Sequence, residues 1–193
     1  MRNFVKIHSN CCFLGHLLFL VLPLVLVISA PPAHCAPATP YFNIIEIRDS
    51  INPAAEDFLK EAISVSSKEK AEFLVILLDT PGGLMSSMRG MAQAILNSEI
   101  PVVVYVSPSG AQAASAGVFI TAAADIAAMA PGTNIGAAHP VTGGGGDLPS
   151  SMSEKVLNDM RAFARSIAAQ RGRNGEWLED AIKSSISATA EEA

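Results

Sequence analysis

Cysteine is missing from the body of this chain. All three cysteines, Cys11, Cys12 and Cys35, fall in the first 36 of 193 residues. The rest of the chain therefore has no thiol nucleophile, no disulfide and no cysteine metal ligand. Aromatic residues are few, at 6%. That disfavours an aromatic binding platform and suits small side chains that let helices pack closely on a sheet. Positive charge is also short: 13 Lys and Arg against 18 Asp and Glu give a formal charge of −5. A nucleic-acid partner would need a basic face, which this balance does not offer. His139 has no histidine or cysteine partner in the body, so no metal site is expected, and no motif calls for a cofactor. What the chain has in quantity is apolar residues, 50% of the total, enough to bury a sizeable core in one domain.

The first 36 residues differ in kind from the rest. Arg2 and Lys6 form a short positive region, and Phe13 to Ile28 is apolar apart from Gly15, His16 and Pro23. Small residues follow from Ser29 to Ala36, with cleavage sites after Ser29 and after Ala36. This is the plan of a secretory signal peptide. A retained membrane anchor is the alternative, because the run approaches the ~18 residues that a span requires. Pro23 and the small-residue exit favour cleavage. Bulky His34 before Cys35 argues against a lipoprotein. No acidic residue precedes Glu46, so the body after Ala36 carries 11 basic and 18 acidic residues, a formal −7.

Pro31 to Pro40 reads as a linker, and Tyr41 to Arg48 alternates as a strand does. Asn52-Pro53 is a helix start, with Asn as cap and Pro in the first turn. Phe58, Leu59, Ala62 and Ile63 continue it as an apolar stripe. The unbroken apolar runs Phe73 to Leu78 and Val102 to Val106 suit buried parallel strands. Met85 to Leu96 and the small-residue stretch Gln112 to Ala123 read as helices, and Ile126 to Ala130 as a short strand. After a glycine loop at Gly143 to Gly146, a long helix starts at Ser151 or Ser153 and runs to about Arg171. A further helix spans Asn174 to Lys183. Strands alternating with helices imply βαβ units and an α/β fold with a mostly parallel sheet. No internal repeat is present.

Two glycine-rich turns each follow a buried strand and precede a helix. They are Thr80-Pro81-Gly82-Gly83 and Gly110-Ala111-Gln112-Ala113-Ala114-Ser115-Ala116-Gly117. In a parallel sheet such turns lie at the carboxyl ends of the strands, where ligands usually bind. Backbone N–H groups at a helix start can stabilise an anion, including the oxyanion of acyl transfer. Small neighbours would let a substrate carbonyl reach the Ser115 hydroxyl. A serine among alanines is more often a packing residue, however, and a lysine in a first helical turn is more often solvated. Spacing and composition leave both readings open.

Four motifs in order change the weighting: Leu78-Asp79-Thr80-Pro81-Gly82-Gly83; Ile100-Pro101-Val102-Val103-Val104-Tyr105-Val106; Ala113-Ala114-Ser115-Ala116-Gly117; and Met129 through Pro140, MAPGTNIGAAHP. Together they make residues 41 to 193 resemble the NfeD family of membrane-bound serine proteases, of the ClpP class. The resemblance implies a ClpP/crotonase fold and peptide hydrolysis by a Ser-Lys dyad. It assigns Ser115 as nucleophile. The family's base is a lysine about forty positions on, near the start of the helix after the flexible loop, and Lys155 holds that place. The N–H groups of Gly83 and Ala116 would form the oxyanion hole. A serine hydroxyl needs such a base before it attacks, and a lysine serves only where burial or a nearby positive charge favours its neutral form. His139 is the rival base, 24 positions after Ser115, where cytosolic ClpP-type proteases carry a histidine. Those enzymes also need an acid where this chain has Lys183-Ser184-Ser185. His139 is therefore expected to line the substrate cleft or to be structural.

The family continues past this point with a closing strand, membrane helices and often a small β-barrel. The resemblance thus implies a protease domain over residues 37 to 193 that is truncated at its C-terminus. It also implies membrane proteins of the stomatin type as substrates or partners, apolar cleavage segments and self-association, while the export signal puts the domain in the periplasm or on the extracytoplasmic face of the membrane. Two other readings compete. One is a non-catalytic scaffold of the same fold that binds membrane partners. The other is a crotonase-type enzyme acting on acyl-CoA, disfavoured by the absence of a basic patch for CoA phosphates and by the export signal. The leader reading predicts that protein from an exporting host begins between about residue 30 and residue 37. N-terminal sequencing checks this, and an intact Met1 on membrane-bound protein would establish the anchor instead.

Overall fold

A computed structural model describes residues 41–141 and 150–193. The expected export segment, residues 1–36, and the glycine loop Gly143 to Gly146 lie outside the described residues. In chain order the elements are β1 (Asn43–Arg48), α1 (Pro53–Lys68), β2 (Leu74–Asp79), α2 (Met85–Leu96), β3 (Val102–Val106) and β4 (Gln112–Ala114). They continue with α3 (Ala116–Ala123), β5 (Ile126–Met129), β6 (Asn134–Gly136), α4 (Ser150–Arg171), α5 (Gly175–Lys183) and β7 (Ser187–Thr189). Among the described residues no helix is long and apolar enough to cross a membrane.

Four strands form a wholly parallel sheet in the order β1-β2-β3-β5. The apolar runs read from the sequence are its centre. Leu74, Ile76 and Leu78 of β2 and Val102, Val104 and Val106 of β3 are all fully buried. Their register pairs Leu74 with Val102 and Leu78 with Val106, so both strands end at the same level. The turns after them therefore leave the sheet side by side. Asn52 caps α1 as its sequence suggests, its Oδ1 accepting from the Ala55 N–H at 3.0 Å. Such a cap contributes about 1 kcal/mol.

The stretch Gln112 to Ala123 is not one helix. Gln112 to Ala114 instead pair in parallel with Asn134 to Gly136. Ser115 then takes φ +53°, which no α-helix continues through, and α3 begins only at Ala116. The small residues here carry no apolar period, so the pairing was set by partners some 22 positions away. The second sheet, β4-β6-β7, has strands of three residues and was not read from the sequence. Strands that short show no usable alternation.

All eight residues of α3 are buried. The carbonyls at its C-terminal end, which a helix leaves unpaired, are taken by two arginines after and at the end of α4. Arg171 Nε donates to the Ala123 carbonyl at 2.8 Å, and Arg173 Nη2 donates to the Ala124 carbonyl at 2.8 Å. Arg171 also pairs with Asp125, whose other carboxylate oxygen accepts from the Val102 N–H at 2.9 Å. Arg161 and Arg165 of α4 hold Glu179 of α5. The hydrogen bond from Arg161, with that from Arg165 behind it, keeps the Glu179 carboxyl below the usual carboxylate range.

The turn after β2 is fastened to the segment before α1. The Ile51 N–H donates to the Gly82 carbonyl at 2.7 Å, and the Leu84 N–H donates to the Ile51 carbonyl at 2.8 Å. Gly83 lies between these bonds with φ +156°, so close that a Cβ there would sit 2.1 Å from the Ile51 oxygen. Gly172 is the useful contrast: it has φ +66°, but a Cβ there would meet nothing within 4 Å. Gly172→Ala is expected to cost about 1 kcal/mol, the ordinary penalty for an alanine in left-handed backbone. Gly83→Ala must also displace backbone, and is expected to cost roughly 2–4 kcal/mol. Urea unfolding midpoints of the two variants check this, and equal losses would show that the Ile51 contact yields easily.

Candidate active site

The two glycine-rich turns meet. Thr80, directly after β2, forms an isolated parallel bridge with Ala113 of β4. Its N–H donates to the Gln112 carbonyl at 2.7 Å, and its carbonyl accepts from the Ala114 N–H at 3.0 Å. One residue earlier, Asp79 Oδ1 accepts from the Gln112 N–H at 3.0 Å. The chain then turns through Pro81 and Gly82, and Gly82 comes to lie against Ser115. A Cβ on Gly82 would sit 2.6 Å from the Ser115 Cβ and 3.1 Å from its Oγ. Glycine at this position is what leaves room for the serine side chain.

Ser115 stands at a strand-to-helix turn, between β4 and α3, with φ +53° and ψ −109°. For a residue with a side chain this backbone costs on the order of 1–3 kcal/mol and persists only where its surroundings enforce it. Here the Ser115 N–H donates to the Gly136 carbonyl at 2.9 Å, and its carbonyl accepts from the Val118 N–H at 3.1 Å. A sharp strand–serine–helix turn lifts a hydroxyl clear of the backbone, which is what a nucleophile needs. Ser115 is partly exposed, whereas Ala116 and Gly117 behind it are buried.

Two donors near this serine are uncommitted. The Gly83 N–H makes no hydrogen bond among the described residues, because Gly82 and Leu84 on either side take both contacts with Ile51. The Ala116 N–H is the first of α3 and likewise has no acceptor among them, as the opening N–H groups of a helix do. Chemically, a serine hydroxyl can attack a carbonyl whose oxygen is received by N–H donors of this kind.

His139 is partly buried, and its Nδ1 lies 3.0 Å from the Ile182 carbonyl oxygen. A carbonyl only accepts, so it is Nδ1 that carries a proton in this contact. The partner of Nδ1 is thus main chain and not a carboxylate. The preceding residues run along the same stretch, Ala138 N–H to the Ala181 carbonyl and Ala137 N–H to the Ile186 carbonyl, both at 2.9 Å. Lys155, in the second turn of α4, is exposed and makes no hydrogen bond to Ser115 or to any other described residue. The fold therefore brings the Gly82-Gly83 turn, through Gly82, against Ser115 and its neighbour Ala116, and gives Lys155 no hydrogen bond to the hydroxyl. Among the described residues no cluster of His, Cys, Asp or Glu could hold a metal ion.

Three contributors stand in the sequence motifs with no role that the sequence assigns to them. Gly82 makes the close approach to Ser115, Gly136 receives the Ser115 N–H, and Thr80 ties the turns together. The positive φ of Gly82, +113°, and of Gly136, +145°, fit the general rule that glycines at strand ends mark close backbone approaches.

Known proteins resemble this arrangement. A model of the NfeD1b N-terminal domain matches residues 41–192. Membrane-bound protease PH1510 of Pyrococcus horikoshii is 38% identical over 152 residues, covering 78% of this chain and 34% of that protein. The match thus spans about a third of that relative's length. Two solved structures are of a membrane-bound stomatin-specific protease, 1510-N. A serine-to-alanine mutant superposes with TM-score 0.74 at 36% identity, over 81% of this chain and 76% of that one. A lysine-to-alanine mutant in complex with a substrate peptide gives TM-score 0.75 at 36% identity, over 81% and 72%. ClpP1 from Listeria monocytogenes matches with TM-score 0.62 at 18% identity, over 78% and 84%, and shows the fold alone. The fold is accordingly ClpP-like, and the chain belongs to the NfeD1b family, whose N-terminal domain it carries.

Proposed function

We propose that this chain is a serine endopeptidase domain that cleaves peptide bonds by acyl transfer, with Ser115 as nucleophile and Lys155 as general base. The observation that carries the reading is Ser115 itself: a serine in strained backbone at a helix start, beside the uncommitted N–H groups of Gly83 and Ala116. In the first step the Ser115 Oγ bonds to the scissile carbonyl carbon, and neutral Lys155 takes the hydroxyl proton. The carbonyl oxygen becomes an oxyanion and accepts from the Gly83 and Ala116 N–H groups. Collapse breaks the C–N bond, and the lysine proton passes to the leaving amine. Water, deprotonated by the same lysine, then releases the acyl group and restores the hydroxyl. Each oxyanion donor stabilises the transition state by roughly 3–4 kcal/mol.

Two points support Lys155. The serine and the lysine altered in the 1510-N structures are about forty positions apart, as Ser115 and Lys155 are. Catalytic hydrogen bonds are also often long in a substrate-free site and tighten only once substrate is bound. His139 fits the rim of the cleft better, since no carboxylate holds its Nδ1. The substrate, by likeness to a protease described as stomatin-specific, is an apolar segment of a stomatin-type membrane protein. We place the domain on the extracytoplasmic side of a membrane, in assemblies of several copies. The exposed position of Lys155 favours one other reading, a ClpP-like scaffold that binds membrane partners without cleaving them.

Fluorophosphonate labelling and peptide turnover test the proposal on folded protein. Wild type is expected to label, and Ser115→Ala to be inert. Lys155→Ala should lose about 100- to 10,000-fold in rate, the usual contribution of a general base, whereas His139→Ala should keep most of it. An active Lys155→Ala beside a folded but inert His139→Ala would move the base to His139. A folded wild type that neither labels nor cleaves would establish the scaffold.

A further inference from the structure

Thr80 is fully buried, yet all of its polar atoms are engaged by segments that converge on Ser115. Its hydroxyl lies 2.8 Å from the Asp49 carbonyl and 3.1 Å from the Gly82 nitrogen. A hydroxyl has one proton. Oγ1 gives it to the Asp49 carbonyl, since the other carbonyl within reach, that of Gly82, is farther at 3.3 Å. Its lone pair then receives the Gly82 N–H. The main chain of Thr80 is meanwhile bonded on both sides to β4, the strand that ends at Ser115. Its methyl group packs beneath α3, so closely that a Cβ on Gly117 would sit 2.8 Å from it.

One residue thus joins three segments: the loop after β1, the Pro-Gly-Gly turn and the serine turn. The Gly83 N–H shares its planar peptide unit with the Gly82 carbonyl, which the Ile51 N–H anchors, and the Thr80 hydroxyl anchors the Gly82 nitrogen one unit earlier, fixing the other side of Gly82. We propose that the Thr80 hydroxyl is a positioning group for acyl transfer: it aims the Gly83 N–H at the oxygen of the reacting carbonyl while the Thr80 backbone holds Ser115 in register with it. This rests on the peptidase reading above and adds a residue to it. Thr80 touches no reacting atom and acts only through Gly82 and Gly83. Threonine suits the position because the hydroxyl and the methyl have separate tasks, bonding the turn and filling the space under Gly117.

Two substitutions separate those tasks. Thr80→Val keeps the shape and removes the hydroxyl, leaving the Gly82 N–H and the Asp49 carbonyl without their partner. Thr80→Ser keeps the hydroxyl and removes the methyl. The probe is a fluorophosphonate. It reacts by forming a Ser115 Oγ–P bond and breaking P–F; fluoride leaves, the hydroxyl proton passes to the base, and the phosphoryl oxygen occupies the oxyanion position. Saturation kinetics separate the maximal labelling rate from the half-saturating concentration. Thr80→Val is expected to lower the maximal rate about 10- to 100-fold with half-saturation changed less than about threefold, as misplacement of a catalytic group does. Thr80→Ser should recover most of that rate even if its melting temperature falls below that of Thr80→Val.

If Thr80 only filled space, the order would reverse, with valine harmless and serine worse, and that result overturns the proposal. Should Thr80→Val fail to fold, Thr80→Ser still decides: near wild-type labelling supports the hydroxyl's role, and a folded serine variant slowed more than about tenfold refutes it. A wild type that does not label would refute the peptidase reading and this inference with it. A reactive wild type with an equally fast Thr80→Val refutes only the role of Thr80.

Discussion

The parallel register of β2 on β3 is the constraint on which the rest depends. Leu78 pairs with Val106, so the two central strands stop together. The turns that leave them must share the same small volume. The bridge between Thr80 and Ala113 joins them there, and Gly82 comes within van der Waals contact of Ser115. A slip of one residue would turn every buried side chain of β2 to the opposite face. The buried Leu74, Ile76 and Leu78 thus hold the site in place although none of them is part of it.

That rigidity is what sustains the strain at Ser115. A positive-φ serine is unfavourable alone, and it persists because Gly136 and Val118 bond Ser115 itself and Thr80 bonds Ala114 before it. The helix after it is equally constrained. Every residue of α3 is buried, and its far end is closed by Arg171 and Arg173, which reach back from the end of α4. The N-terminal end of α3 is left differently. Its first N–H, that of Ala116, has no acceptor among the described residues, while the Val118 N–H is taken by the Ser115 carbonyl. The two ends of α3 thus differ: carbonyls at the far end are bonded by arginines, and the opening N–H at the serine turn is left without a partner among the described residues.

His139 shows how the same backbone can be directed to different chemistry. Its ring is fixed by a main-chain carbonyl at 3.0 Å, which sets the tautomer but supplies no negative charge to stabilise an imidazolium. A carboxylate there would have made the ring a stronger base. The neighbouring bonds from Ala137 and Ala138 to the segment around α5 hold His139 by structure common to the whole strand-like stretch. The ring's position is therefore set by main-chain docking on α5.

Much of the fold was legible in the sequence. Met85 to Leu96 and Val102 to Val106 form their helix and strand with the bounds expected, and Asn52 caps the helix it precedes. Those features are local: an apolar period, an unbroken β-branched run, a cap followed by proline. The family motif marks Ser115, Gly83 and Ala116 in the sequence. Tertiary structure alone decided the rest. Nothing in Gln112 to Ala114 distinguishes a strand from the start of a helix; pairing with Asn134 to Gly136 made it one. Nothing near Gly82 announces that its missing side chain accommodates Ser115, 33 positions later, or that Thr80 binds both turns. The sequence by itself determined the strands of the central sheet and most of the helices, because those depend on neighbours within a few residues; Ser115 was marked by the family motif and not by its local sequence. The donors around that serine were settled only when strands distant in the chain came into register, because an N–H is left free or taken according to what lies across from it in space.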